Sequence, residues 1–439
     1  MRAQLQRNCA KSYRSRAFSL VGIGASNGPQ AALLVAIALA AALVTGSLGC
    51  KNEREGSPAE EILGGSQSQG TSRPTSPLDP DRGGTDPVLP AGLGSTGTNF
   101  LNVETFPLGL VVDGGVGRDG IEAVTDPVFV PAGSVGASYL ADTDLVIGVV
   151  LNGEAKAYPH NILWWHEIVN DAVGGHPVVV SLCPLTGTGM VFDGADAGTR
   201  ITMGVSGWLF NNNLILYDRR DDETLYPQMT QRAILGPRRG QELILMPVLE
   251  TTWRYWKRLH PSTRVVSGSG LRYALAHYRG YPYPDYRDPS SPPLFPLAPE
   301  LAVNPIGKAL EPKQTMLGVR HNESAKSYPF DTLGEEAVIN DRIGNLDVVV
   351  VHHKKERLAI PYDRRVEVDG VVLTLTFDWS VPVDLVFPFT IRDRETLSVW
   401  NLMGEAIEGR LAGMRLRQVP AHSAYWFAWA TFWQESQIL

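Results

Sequence analysis

Cys183 is the side chain of this sequence best suited to covalent or metal chemistry. The chain has 3 cysteines, Cys9, Cys50 and Cys183. Cys9 falls in a basic leader and Cys50 at its end, which leaves Cys183 as the thiol of a folded, exported protein. There an unpaired cysteine marks a reactive thiol or a ligand. A thiol attacks or ligates only as the thiolate, so it needs a cation or metal beside it to lower its pKa from about 8.5. His166 is the expected partner and completes a catalytic pair with Cys183. Cys183, His166 and His160 together would suit copper or zinc, with His176 as a further possibility, since thiolate and imidazole serve both metals. The cofactor stays open, because so dispersed a set does not complete a site. Adjacent helical side chains diverge by about 100°, so His166 and Glu167 would not grip one ion together. Thr186-Gly187-Thr188-Gly189 follows the thiol. Its amides and hydroxyls would hold an anion, while a tight hairpin accounts for the same glycines. The plain alternative for Cys183 is an inert thiol buried at a strand end.

Strands must position these residues. Leu145 to Leu151 is a short apolar strand, Asn152-Gly153 is a type I′ hairpin signal, and Glu154 to Tyr158 returns. Pro159 opens a helix expected over Asn161 to Val169, closed by Asn170-Asp171. Gly174-Gly175 turns into the strand Pro177 to Cys183, and Met190–Asp193, Ile201–Val205 and Leu214–Tyr217 read as further strands. Trp253-x-x-Trp256 and Trp426-x-x-Trp429 sit at helical spacing and read as core. His352-His353 with Lys354-Lys355 reads as a solvated basic turn, its two imidazoles on opposite strand faces.

The chain also matches itself. Gly148 to Pro159 runs in register with Gly318 to Pro329 at an offset of 318 − 148 = 170 residues, which holds through Asn170-Asp171 against Asn340-Asp341 and Phe192-Asp193 against Tyr362-Asp363. Such self-similarity marks a duplicated unit. Residues in both copies are then scaffold and residues in one copy are candidates for chemistry: Cys183 faces His353, and His166 faces Glu336. The expected fold is α+β and β-rich, two tandem homologous units of mostly antiparallel sheet with short helices, related by a pseudo-twofold. The units span residues 99–280 and 305–439, joined by a Pro-rich connector over 281–304.

Residues 1–49 read as a lipoprotein-like signal peptide: Arg2, Arg7, Lys11, Arg14 and Arg16, then the apolar run Ala31 to Val44, then small residues before Cys50. Cys50 is the expected lipidation site, although Ser47 stands where a lipobox has leucine. Residues 50–98 are rich in Ser, Gly, Pro and Thr and read as a disordered tether. The expected location is the cell envelope, exported and membrane-anchored through the lipid. With 439 residues and a net charge of −7 the chain can build large cores but lacks the basic face of a nucleic-acid binder. Its partner, a small molecule or a component of the envelope, is not specified.

Ala157-Tyr-Pro159, His166-Glu167, Asn170-Asp171, Gly174-Gly175, Cys183-Pro-Leu-Thr-Gly-Thr-Gly189, Ser206-Gly207 and Trp426-Phe-Ala-Trp429 resemble the bacterial family called domain of unknown function thirty-one seventy-nine. The similarity runs from about Ile121 to the C-terminus. Its members commonly carry a second Cys three places after the first, where this chain has Thr186, so the resemblance implies no dithiol pair here. It implies a secreted or anchored bacterial protein and brings no settled activity. Two readings remain: a thiol-centred ligand, metal or redox site in the first unit, or a non-enzymatic binding or scaffold module with a structural Cys.

Overall fold

Asn152 and Gly153 have φ of 48° and 81°, the paired positive values that a two-residue type I′ turn requires. They join the strands Leu145–Leu151 and Glu154–Pro159, antiparallel with Leu151 opposite Glu154. A computed structural model of the protein describes residues 102–297 and 309–439. The expected signal peptide, tether and Cys50 lie outside the described residues. The described fold is β-rich, its sheets mostly antiparallel and its α-helices short. Among the described residues no helix is long and apolar enough to cross a membrane.

The N-terminal part is built on three larger sheets and a two-stranded ribbon of Ala195–Asp196 and Thr199–Arg200. In the first, the order is Leu249–Thr252, Leu145–Leu151, Glu154–Pro159, Arg264–Val266 and Phe129–Pro131. The second runs Val124–Thr125, Ile168–Val173, His176–Cys183 and Thr188–Asp193, and the third Val111–Asp113, Met203–Phe210, Asn213–Asp218 and Leu225–Pro227. The C-terminal part has a sheet ordered Ala421–Tyr425, Thr315–His321, Ser324–Pro329 and Gln437–Ile438. Its others are Glu336–Ile343, Leu346–His353 and Leu358–Asp363, then the pair Arg365–Val368 and Val371–Thr374, then Phe377–Ser380, Thr390–Asp393, Val399–Trp400 and Ala406–Glu408.

Two tryptophan–glycine contacts hold the helices onto these sheets. The helix Trp253–Leu259 lays Trp256 on Gly148, where an added Cβ would lie 2.2 Å from the ring. The helix Trp426–Phe432 lays Trp429 on Gly318, where it would lie 2.0 Å away. A strand glycine usually weakens packing; here its missing side chain is the seat of an indole. Both pairs of tryptophans are buried, as their spacing suggests.

Polar side chains tie sheet to sheet. Asn170 accepts the Met203 N–H at 2.7 Å and donates to the Met203 carbonyl at 3.0 Å, while Asn340 does the same with Phe377 at 2.8 and 2.7 Å. Asp171 accepts from Tyr158 at 2.7 Å and Lys156 at 2.9 Å, and Asp341 from Tyr328 at 2.9 Å and Lys326 at 3.0 Å.

Two expectations fail locally. The helix after Pro159 is His160–His166, not Asn161 to Val169, and Asn170-Asp171 lies within the strand Ile168–Val173. Glu167 stops the helix with φ of 58°, and the Ile-Val pair beyond it is β-branched and enters the sheet. The stretch from His352 is not a solvated basic turn throughout: His352 is buried beside Phe330, and the turn begins at Lys354. The described part of the connector docks on the surface of the second sheet. Its Tyr281 and Tyr286 hydroxyls donate to the carbonyls of Pro184 and Leu185 at 2.7 and 2.8 Å.

Candidate functional site

Cys183 ends the strand His176–Cys183, opposite Thr188 across the hairpin. It is free, and only 1% of it is exposed. Its Sγ donates to the Asn212 carbonyl at 3.4 Å. Burial pushes the thiol up to about 11, and the Glu167 carboxyl acts in the same direction. Such a thiol is protonated at neutral pH, the reverse of an activated nucleophile. The Thr186–Gly189 segment is the expected hairpin. Gly187 takes φ of 61°, and a Cβ there would come within 2.9 Å of the Tyr425 ring. The Thr186 carbonyl accepts the Tyr425 N–H at 2.7 Å. Asn213 donates to Thr186 Oγ1 at 3.1 Å and to Gln228 at 2.8 Å, and Gln228 donates to Ser181 Oγ and the Thr188 carbonyl, both at 3.1 Å. These groups satisfy one another, as buried polar groups must. They are committed to the fold and do not present a cradle for an anion.

His166 is not the partner of the thiol. Its Nδ1 lies 2.7 Å from the Glu122 carbonyl and its Nε2 2.9 Å from the Tyr278 hydroxyl. A carbonyl only accepts, so Nδ1 carries the proton and Nε2 receives the phenolic one. Desolvation lowers the His166 pKa and favours this neutral ring. The reason is rotational: one helical step separates His166 from Glu167, and Glu167 is the neighbour whose charge the thiol feels. His176 is paired with Asp193 at 2.8 Å. Among the described residues no three His, Cys, Asp or Glu side chains are placed to hold a metal ion. Cys183, His166 and His160, expected as a copper or zinc set, are therefore not assembled as one.

Sequence reasoning set Glu167 aside as a metal ligand and missed Glu250. Glu167 is buried in its positive-φ position, and desolvation pushes it up to about 8. A bulky residue at positive φ costs energy that the surroundings must supply, a common mark of functional positions. Glu250 stands on the strand Leu249–Thr252 with its Oε1 3.9 Å from His160 Nε2. Burial pushes Glu250 up to about 7 and His160 down to about 3, leaving a neutral imidazole beside an acid that titrates near neutrality. Arg357 opposes the shift in Glu250 and, after Arg287, deepens that in His160. Above the pair, Arg287 lies 3.7 Å over the Tyr281 ring and 4.1 Å over that of Trp164. The signal was present in the self-comparison: at the 170 offset Glu167 and His160 meet Ala337 and Phe330, and at the tryptophan offset of 426 − 253 = 173 Glu250 meets Ser423.

A family model described as protein of unknown function, DUF3179, matches residues 118–436. The chain belongs to this family. No curated protein and no solved structure matches it.

Two cavities of this DUF3179 protein lie beside the residues just described. One, of ≈ 20 Å³, is bounded by Glu250, Arg357, Gly189 and His422 and has room for about one water. The other, of ≈ 450 Å³, is walled by Arg232 and Glu242 from the N-terminal part and by Arg320, Glu323, Arg417 and His422 from the C-terminal part. Its volume is in the range of small-molecule sites, roughly 300–1,000 Å³. Burial pushes His422, which borders both cavities, down to about 4, so that it is neutral.

Proposed function

We propose that this DUF3179 protein is an exported, membrane-tethered binding protein of two like halves, which holds a small molecule in the cleft between them and uses Cys183 structurally. One observation carries the reading: the ≈ 450 Å³ cleft takes its walls from both halves, whereas the thiol is sealed and protonated. Duplication with a pseudo-twofold is supported by matching details. Trp256 on Gly148 parallels Trp429 on Gly318. The lone bridge Phe192 to Leu245 parallels that of Tyr362 to Gln418. Thr188–Asp193 packs near Ala421–Tyr425, and Leu249–Thr252 near Leu358–Asp363, the exchange a twofold requires. The basic and apolar leader and the small residues before Cys50 support export and lipid anchoring.

A second reading has one specific support. Glu167, strained and uncharged beside Cys183, is where a thiol-centred activity would keep its acid. Iodoacetamide at neutral pH separates the two. The binding reading expects Cys183 to be modified only after denaturation, and a panel of small metabolites to raise the melting temperature of the full chain. Prompt native alkylation, absent in Cys183→Ser, would instead favour the thiol site.

A further inference from the structure

Arg320 is the last residue but one of the strand Thr315–His321 on the wall of the cleft, and its guanidinium stacks on Trp433 at 4.0 Å from the ring centroid. Stacking uses the face of the group and leaves its five N–H donors, arranged as a planar fork, for acceptors. Among the described residues no carboxylate, carbonyl or hydroxyl takes them. Desolvation lowers the Arg320 pKa against the opposing charges of Glu242 and Glu323, neither of which touches it, so this cation is part-withdrawn from water without an anion in contact. The other charges of the cleft are accounted for. Glu242 is engaged by Arg232 at 2.8 Å and Arg417 by Asp363 at 2.7 Å, while His321 bonds Asn345 at 2.8 Å. Glu323 is exposed at the rim, where water screens it. At the 170 offset Arg320 meets Val150, so the cation belongs to one half only. A part-buried guanidinium costs desolvation energy unless a hydrogen-bonded counter-charge returns it.

We infer that the cleft binds a small molecule through a carboxylate or phosphate group seated on the free edge of Arg320. The inference rests on the reading of the cleft as a binding site and adds the chemistry of its ligand. The fork geometry of arginine matches two oxygens of either group, so both are probed.

The test is calorimetric titration of the full chain with citrate and with inorganic phosphate at fixed ionic strength, beside glycerol and putrescine as neutral and cationic probes. Saturable binding of citrate or phosphate is expected, weakened roughly 10- to 100-fold in Arg320→Gln. Arg320→Lys, which keeps charge but not the fork, should fall between, and it preserves the test if the glutamine variant fails to fold. Arg394→Gln, far along the chain in an exposed pair with Asp378, should bind as the parent does. Equal affinity in parent and Arg320→Gln overturns the inference. Binding of glycerol or putrescine without either anion also overturns it but leaves the cleft a binding site; failure of all four probes removes both.

Discussion

Replacing Glu250 by Gln tests whether the acid buried against His160 is neutral when the protein is folded. The folded carboxyl titrates at about 7 against its ordinary 4.5, a gap of about 7 − 4.5 = 2.5 units. At about 1.36 kcal/mol per unit the linked free energy reaches roughly 3 kcal/mol. The side chain keeps 16% exposure, so this is an upper figure. The sign follows from the direction. The folded state favours the protonated acid, so its contribution is fully present below pH 4.5 and is lost as the pH rises toward 7. His160 runs the other way: held near 3 against an ordinary 6.5, it contributes stability above 6.5 that is lost as the pH falls toward 3. Both proteins keep His160, so its effect largely cancels in their difference. Urea unfolding followed by tryptophan fluorescence from pH 4.5 to 8 should show Glu250→Gln gaining on the parent by up to about 3 kcal/mol, most of it before pH 7. A gain that shrinks with rising pH would mean that imidazolium and carboxylate form an ion pair, and the reasoning would be wrong. A flat difference would mean that burial does not perturb the acid.

Other substitutions reach different parts of the fold. Gly148→Ala or Gly318→Ala drives a methyl into Trp256 or Trp429 and should lower unfolding stability by about 1–3 kcal/mol or more; an unchanged urea midpoint would contradict the seat. His166→Phe strips the partners from the Glu122 carbonyl and the Tyr278 hydroxyl and should cost roughly 2–4 kcal/mol, while native Cys183 remains closed to iodoacetamide. Rapid alkylation of a still-folded His166→Phe would reinstate that histidine as a partner of the thiol. Cys50→Ala should move the protein from the membrane to the soluble fraction and abolish incorporation of labelled palmitate; retention on the membrane would remove the proposed anchor.

Much of the fold was legible because its signals are local. Asn152-Gly153 dictated its hairpin, and the Trp-x-x-Trp spacing marked two helices whose indoles had to be buried. The helix end was not legible, since Glu167 adopts a positive φ that glycine, asparagine or aspartate announces and glutamate does not. The site was harder. Cys183 was found by chemistry alone, but whether a thiol is activated depends on neighbours such as Glu167, at the end of a helix, and Asn212, in a turn between two other strands. Glu250, in Val-Leu-Glu-Thr-Thr, reads as a solvent-facing strand residue; what buries it includes Arg357, His422 and Ser423, contributed by chain more than a hundred residues away. The comparison of one half with the other held that information, because Glu250, Glu167 and Arg320 each lack a like partner.

The backbone bond from Tyr425 to Thr186 sets an order of events for biosynthesis. The loop beside the thiol is closed by the strand Ala421–Tyr425, whose Tyr425 lies 425 − 186 = 239 residues beyond Thr186, and Gln437–Ile438 adds in parallel to Ser324–Pro329. The N-terminal part cannot close that loop until Ala421–Tyr425 has left the ribosome. A peptide fused after Leu439 begins at a strand already stitched into a sheet, so an affinity tag there needs a spacer, and a nonsense codon ahead of Ala421 leaves the nascent N-terminal portion with an open edge.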